Sequence, residues 1–554
     1  MGADHRGFDL STVFRTVARA VPERRITVWR GEVTTYEQMD ARIDGIARHL
    51  VAVGLGCHTE RPALQPWESG QDHLGIYLRN GTQYLESMVA AYRARVAPFN
   101  VSYRYVEDEL LYLLDDAQAT SLVYAAEFAP RVAAIRDRLP NLRVLIQVAD
   151  DSGNDLLPGA VDYESKTRTV DPAPMPEPSG DDLYIIYTGG TTGMPKGVLW
   201  CQHDMFMSSM GGRPFGGGDP IASYDDLAQR ARDSGGGLSV MLIAPLMHGA
   251  AQWATFSVIT TGGWLAIPDD VVSFRPDEVL RLAERERVLN IPMVGDAIAR
   301  PLVEELERTE YDLSGLMAVS NGGAALSPAV RERVLAALPG KMLFDAVGSS
   351  ETGIQMNTFS TQDSETDTAV FTPQDDTTVV AADLDRMASP GDVGWLARRD
   401  LIPLGYLGDE AKTRRTYPTI DGVRWSVPGD RARLLDDGRI ELMGRDSLTI
   451  NSGGEKIFVE EVERAIAAHP AVYDVVVVGR PSERWGAEVV AIVQVADGAE
   501  VTDDELREGC STQIARYKIP KVFLRTDKVQ RSPVGKPDYR WAASVAVADT
   551  ASAS

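Results

Sequence analysis

The chain has 554 residues, with 56 Lys+Arg against 80 Asp+Glu and a formal net charge of −24. A hydrophobic content of 44% with 25% charged residues is that of a folded globular protein, which excludes wholesale disorder. The acidic excess excludes sequence-independent binding to nucleic-acid backbones, because phosphate repulsion has no global counterweight.

The three cysteines (Cys57, Cys201, Cys510) lie far apart, so neither a disulfide framework nor a zinc ribbon fits them. The opening MGADHRGFDL lacks the apolar core of a secretory signal, and no run of about 18 apolar residues occurs. The expectation is a cytoplasmic enzyme with no membrane span.

In chain order, ITVWRGEVTTY reads as a hairpin, and TYEQMDARIDGIARHLVAVGLG keeps helical spacing up to a Gly stop. His58–His73 is a polar surface loop. A strand GIYLRNG, a helix ending near Arg95, a strand APFNV, a helix over Val106–Gln118 and a strand SLVYA follow. This alternation predicts a layered α/β domain with largely parallel strands. The Pro-rich DPAPMPEPSG (171–180) leads into the apolar strand DDLYIIYTG. Two Gly-rich stretches, 211–219 and 235–237, bracket a polar helical piece that reads as an insertion facing solvent or a substrate entrance. A long polar loop spans Ser360–Asp376. From about Gly444 the pattern becomes a compact α+β unit of about a hundred residues, large enough to fold alone. The Ala/Ser-rich tail after Trp541 is expected to fray. Two bodies result, 1–444 and 445–554, joined near Arg445–Ser447.

The densest local signal is YTGGTTGMPKGV, Tyr187–Val198. Gly189, Gly190 and Gly193 free backbone N–H groups to cradle a polyphosphate. Thr188, Thr191 and Thr192 add hydroxyl donors, and Lys196 adds charge. It is not a Walker A loop, since Gly197 follows the lysine. Read without its neighbours, it is a Gly/Thr-rich hairpin turn.

Other segments carry two readings each when taken alone. Ser-Ser-Glu-Thr-Gly within DAVGSSETG (345–353) reads as a helix N-cap with a capping acid. Asp430 in VPGD closes a turn. Gly453–Gly454 reads as a bulge, and Lys536 in RSPVGKPDYR as solvated surface. His248 in PLMHGAAQW, one of seven histidines, reads as a packed residue, and Trp253 as core or pocket wall.

Together and in this order, these motifs resemble the acyl-adenylate-forming superfamily of acyl-CoA synthetases, luciferases and peptide-synthetase adenylation domains. The resemblance runs from TYEQMD (35–40) to GKPDYR (535–540). It implies an α/β fold: a large N-terminal adenylate-forming domain of layered sheets and helices, plus a small α+β C-terminal domain that rotates. It assigns Glu351 to Mg²⁺ and Ser350 to the adenylate phosphate. Asp345 and Asn321–Leu326, with Gly322, Gly323 and Ala324, fall to the adenine slot. Asp430 and Arg445 fall to the ribose, and Lys536 to the carboxylate and α-phosphate. Thr188 and Lys196 join Lys536 and Glu351 as catalytic groups. His248, Gly249, Trp253 and Gly348 are placed at the acyl pocket, where His248 lines or gates and does no acid–base work. Gly453, Gly454 and Glu455 would line the thioester-forming tunnel, and Ser447 is the hinge.

Three departures stand out: Gly189 where relatives carry Ser or Thr, Ser350 where Thr is commoner, and Ser447 where many have Asp or Lys. PLMHGAAQW, VGDAIARPL, GSSETG, INSGGEKIFVEEVE and RSPVGKPDYRW look like actinobacterial FadD-type ligases for fatty and steroid side-chain acids. The implied reaction is carboxylate + ATP + CoA to acyl-CoA + AMP + pyrophosphate, on a bulky apolar acid. Its partners are small molecules, its cofactors ATP, Mg²⁺ and CoA, and its state monomer or homodimer. The alternatives are transfer of the acyl group to a carrier protein or amine, an inactive nucleotide-binding regulator, and a luciferase-type oxidative enzyme.

Overall fold

Hairpin, helix and sheet follow from local chemistry in the first fifty residues. Strands Arg25–Trp29 and Glu32–Thr35 pair antiparallel around a two-residue turn at Arg30 (φ 51°) and Gly31 (φ 76°), the left-handed pair that matches strand twist. Thr35 then caps helix Tyr36–Ala52. Its hydroxyl accepts from Gln38 N, while the Gln38 side chain accepts from Thr35 N at 2.9 Å, closing a capping box.

The computed structural model describes residues 7–168, 174–188, 194–214, 217–363, 369–452, 455–482, 486–532 and 535–552. Gly189, Gly190, Thr191, Thr192, Gly193, Gly453 and Gly454 lie outside the described residues.

The expected parallel α/β layer is a five-stranded sheet ordered Ala97–Asn100, His73–Tyr77, Ser121–Ala125, Val144–Val148 and Val161–Asp162, all parallel. The second, larger sheet is mixed. Arg25–Trp29, Trp264–Ile267, Ser239–Met241, Asn290–Met293, Ala318–Gly322 and Met342–Ser349 run parallel. From Gly353–Ser360 onward its neighbours are antiparallel, since two-residue and short turns can join only antiparallel strands. The parallel half brings several carboxyl ends to one edge, the place where open α/β sheets bind ligands.

Two expectations need correction, and a third holds in part. The polar piece between the glycine stretches is helix Tyr224–Asp233, whose Asp225, Gln229, Arg232 and Asp233 face solvent while its other face is anchored. Leu227, Ala228 and Ala231 are buried, Tyr224 packs edge-on to Phe8 at 5.0 Å, and Arg24 donates to the carbonyls of Ala231 and Arg232. Three apolar residues at helical spacing suffice to anchor it. The loop at 360–376 contains a strand, Val370–Pro373, joined to Gly353–Ser360 and Ile440–Arg445. The tail after Trp541 is part of helix Tyr539–Ser552, whose Ala542 and Ala546 are buried among Val476, Val478, Val490 and Ile492. Small residues there permit close approach to a valine-rich strand, a role that composition alone conceals.

Strand Ile440–Arg445 belongs to the large sheet, whereas Ile450–Ser452 belongs to a separate five-stranded sheet with Val472–Ser482 and Gly486–Val495. The chain therefore changes sheets within the short turn Asp446–Leu448. The second sheet has its own core, built on Ile457, Val462, Ile466, Val477, Ala491 and Phe523. No helix of the described residues is long and apolar enough to cross a membrane.

Candidate active site

The Gly/Thr-rich segment is flanked by strands Leu183–Thr188 and Lys196–Cys201, antiparallel, with Thr188 opposite Lys196. Lys196 Nζ lies 2.8 Å from Asp116 Oδ1, and the Tyr187 hydroxyl donates to Asp116 Oδ2 at 2.9 Å. A third strand, Gly405–Tyr406, pairs with the second through Tyr406 and Val198. That pairing delivers the Tyr406 hydroxyl to Glu351 Oε1 at 2.8 Å. Lys412 Nζ sits 3.9 Å from the Tyr406 ring centroid. Burial, opposed by the nearby Glu351 and Asp409 carboxylates, holds the ammonium of Lys412 below the usual lysine range.

Glu351 occupies the turn after strand Met342–Ser349. Gly348 makes the preceding bulge possible, because a Cβ there would stand 2.3 Å from the Gly353 carbonyl. Main-chain anchors fix the turn: Trp200 Nε1 donates to Ser350 O at 2.8 Å, and Ser426 Oγ to Glu351 O at 2.6 Å. Beneath them Arg398, fully buried, donates to the carbonyls of Thr352 and Ile354 and pairs with Asp376 at 3.0 Å. The carboxylate at the site is thus posed by its backbone as well as by Tyr406.

At the next parallel strand, Asn321 Nδ2 donates to Asp345 Oδ1 (2.6 Å) and to Ala324 O (3.1 Å). Arg331 takes the second Asp345 oxygen at 2.7 Å. Asp345 is buried, and burial pushes its carboxyl above the usual carboxylate range against the pull of these two donors. It shapes the Gly322–Gly323–Ala324 segment through Asn321. Gly323 there takes φ +81°, a conformation that favours glycine.

Asp430 opens strand Asp430–Leu434 directly opposite Arg445, and Arg445 Nε donates to its Oδ1 at 3.2 Å. The charges of Arg445, Glu351 and Asp430 all act on Lys536. The ammonium is held below its ordinary range, chiefly by crowding of protein around it and then by Arg445. Lys536 also acts on His248, whose imidazole is lowered to about 4 by burial, then by Lys536 and Arg104. His248 stands at the N-cap of helix Gly249–Thr260 and its Nε2 is buried without a hydrogen-bond partner. Trp253 is 5% exposed and packs against Gly249, where a Cβ would come within 3.0 Å of its ring. A cavity of about 100 Å³, lined in part by Arg104, Pro245, Arg275 and Val294, adjoins the His248 segment. Ser447 lies in the turn Asp446–Leu448 and Glu455 begins strand Glu455–Ile457.

Groups dispersed over almost 300 residues of sequence are therefore linked by charge: Lys536 acts on His248, and Glu351, Asp430 and Arg445 act on Lys536. Against known families, residues 14–400 match the AMP-binding enzyme model, and residues 461–536 match the AMP-binding enzyme C-terminal domain. The chain belongs to the AMP-binding enzyme family. Medium-chain acyl-CoA ligase Mig of Mycobacterium avium is 54% identical over 98% of both chains. A 3-oxocholest-4-en-26-oate–CoA ligase of Rhodococcus rhodochrous is 38% identical over 94% of this chain and 93% of its own. Among solved structures, an anthranilate CoA ligase bound to anthranoyl-AMP superposes with TM-score 0.79 at 17% identity, covering 98% of each chain.

For an AMP-binding enzyme, a Mg²⁺ ion carried with the nucleotide is the metal to test. Among the described residues no group of three or more His, Cys, Asp or Glu could form a protein cage. Glu351 offers a single hard carboxylate, with Oε1 taken by Tyr406. One carboxylate plus substrate phosphates is the usual Mg²⁺ arrangement, so the donor set fits. Asp116, Tyr406, Lys412, Ser426 and Arg398 are absent from the sequence reading of this AMP-binding enzyme. Each reaches the site by strand pairing or long-range packing, and none falls in a glycine-rich or otherwise dense motif.

Proposed function

We propose that the protein is an ATP-dependent carboxylic acid–CoA ligase acting through an acyl-adenylate on an apolar acid between medium-chain and steroid side-chain size. The observation that carries the mechanism is the convergence of Lys536, from the C-terminal body, with Glu351, Asp430 and Arg445. The two relatives that act on apolar acids support the substrate class. So do the small residues Gly249, Ala250 and Ala251 beside His248.

A carboxylate resists attack by a thiol because oxide is a poor leaving group. In the first step the carboxylate oxygen bonds to the α-phosphorus of ATP, and the bond to the β-phosphate oxygen breaks. Pyrophosphate departs with the electron pair. Lys536 holds the two reacting oxygens and offsets the charge that gathers on phosphorus, with no proton transferred. Thr188 and Lys196 serve the β and γ phosphates, Lys196 exchanging Asp116 for them. Asp430 and Arg445 take the ribose hydroxyls, the carboxylate accepting from both. Glu351 would hold Mg²⁺, which when bound would offset phosphate charge. In the second step the CoA thiol attacks the acyl carbonyl and AMP leaves. His248, neutral through the working pH range, lines the acyl side.

Lys536 is needed only for the first step, so the 445–554 body pivots at Ser447 and exchanges it for the Gly453–Gly454–Glu455 segment. Replacing Lys536 by Ala tests this. Acid-dependent ATP–pyrophosphate exchange is expected to fall by roughly 10²- to 10³-fold, the weight of one electrostatic donor. CoA attack on supplied acyl-adenylate stays near the wild-type rate. Equal loss of both half-reactions would remove the pivot.

A further inference from the structure

Lys536 reaches the site on a loop whose seat lies some distance from the reacting atoms. Gly535 presses on the large domain: a Cβ there would lie 2.8 Å from the Val294 carbonyl and 2.9 Å from Ala297 Cβ. Beside this contact, strand Val472–Ser482 presents Tyr473 to helix Asp296–Arg308, and the Arg300 guanidinium stacks on its ring, 4.1 Å from the centroid. Arg300 is only 9% exposed, so the cation is largely desolvated, the setting in which cation–π attraction is strongest.

Both sides of that contact are wired to the active site. On the small-domain side, Asp474 follows Tyr473 and holds Arg531 in a two-pronged pair at 2.6 and 2.7 Å. Arg531 Nη1 donates to the carbonyl of Gly535, the residue before Lys536, at 2.9 Å. On the large-domain side, Arg300 donates to Asp296 Oδ2 at 2.9 Å, while Asp296 Oδ1 accepts from Ser327 N at 2.8 Å. Ser327 ends the segment that carries Gly322, Gly323 and Ala324. The preceding Gly295 N donates to Asn321 Oδ1 at 2.8 Å, in the same segment.

We propose that Arg300 and Tyr473 form an interdomain latch, and that both are positioning residues for adenylation. The latch seats the Lys536 loop over the nucleotide and couples that seating to the Asn321–Ser327 segment. It rests on the reading of Lys536 as the adenylation lysine and goes beyond it, since neither residue touches the reacting atoms. A single well-placed contact suits an equilibrium that must be broken once per turnover. A two-pronged salt bridge across the interface would be harder to release, and the structure keeps that stronger pair, Asp474–Arg531, inside the moving body.

The test separates half-reactions in Tyr473→Ala, Tyr473→Phe, Arg300→Met and Lys536→Ala. Tyr473→Ala is expected to slow acid-dependent ATP–pyrophosphate exchange by roughly 2- to 30-fold, the span of a cation–π contact read as an equilibrium factor. Its thioester formation from supplied acyl-adenylate is expected to equal or exceed wild type. Tyr473→Phe keeps the ring and retains wild-type exchange. Combining Tyr473→Ala with Arg300→Met should cost little more than Arg300→Met alone, because coupled partners are not additive. Unchanged exchange in Tyr473→Ala, or both half-reactions falling in step, would overturn the latch. Lys536→Ala serves as the control: loss of exchange there with none in Tyr473→Ala discards the latch alone, whereas retained exchange discards the lysine reading beneath it.

Discussion

Glu351 and His248 show how a side chain's neighbours decide what it can do. Glu351 is held at its carboxylate by Tyr406 and at its main-chain carbonyl by Ser426, so it is ordered in advance for the proposed Mg²⁺ role. Glu351→Gln keeps the shape and removes the charge. It is expected to shift the Mg²⁺ titration of activity, and of nucleotide-dependent Mn²⁺ binding followed by EPR, to higher concentration by roughly tenfold or more, as for loss of a charge-assisted contact. An unmoved titration would take Glu351 off the metal. For His248, folding lowers the imidazole to about 4, while the unfolded chain titrates near 6.5. Between those values the unfolded state binds the extra proton, so this group's contribution is intact above pH about 6.5 and is lost as pH falls toward about 4. Thermal unfolding of His248→Phe against wild type should therefore show a wild-type deficit that grows only below about pH 6.5. The same shift predicts no His248 inflection in activity between pH 6 and 8. At this scale the sequence points to candidates where chemistry is concentrated, as in SSETG and GKPDYR. It was silent about Tyr406 and Asp116, because strand register and helix packing bring them in.

Elements carry the second layer. The hairpin with φ-positive Arg30 and Gly31, the capping box at Thr35 and the parallel layer from His73 to Asp162 follow from short-range rules and could be read directly. The helix Tyr539–Ser552 could not, since alanine and serine describe a solvated tail as well as a helix pressed to a valine strand. Its anchor is also ionic: Arg480, 7% exposed, pairs with Glu488 at 2.9 Å and Asp549 at 3.0 Å. Because Ala542 is fully buried, Ala542→Asp places an unpaired carboxylate in an apolar core. The expected cost is about 3 kcal/mol or more. It would be read as a lowered unfolding midpoint of the C-terminal body with the melting of the large domain little changed. Wild-type melting would return the tail to the surface. Helix Tyr224–Asp233 makes a related point on the large domain, where an exposed polar face conceals three buried apolar residues that anchor it.

At the scale of the whole molecule, the large sheet collects carboxyl ends at one edge, and Lys536, from the far end of the chain, feels the charges of Glu351, Asp430 and Arg445. The change of sheet between Arg445 and Ile450 leaves only a one-turn connection, with Asp430 and Arg445 at its entrance. Both ribose-side candidates thus adjoin the proposed pivot. Motif order along the sequence pointed to this two-body plan, but the docking contact between Arg300, inside VGDAIARPL, and Tyr473 required coordinates. The most direct check of the account is pyrophosphate release and acyl-CoA formation, by mass spectrometry, with ATP and Mg²⁺, across medium-chain, long-chain, steroid side-chain and aryl acids, each with and without CoA. A CoA ligase for apolar acids gives multiple turnovers only with CoA, a thioester product, and a preference for apolar aliphatic or steroid side-chain acids. A stoichiometric burst unaffected by CoA, with no thioester formed, would contradict it and make another acceptor the second substrate.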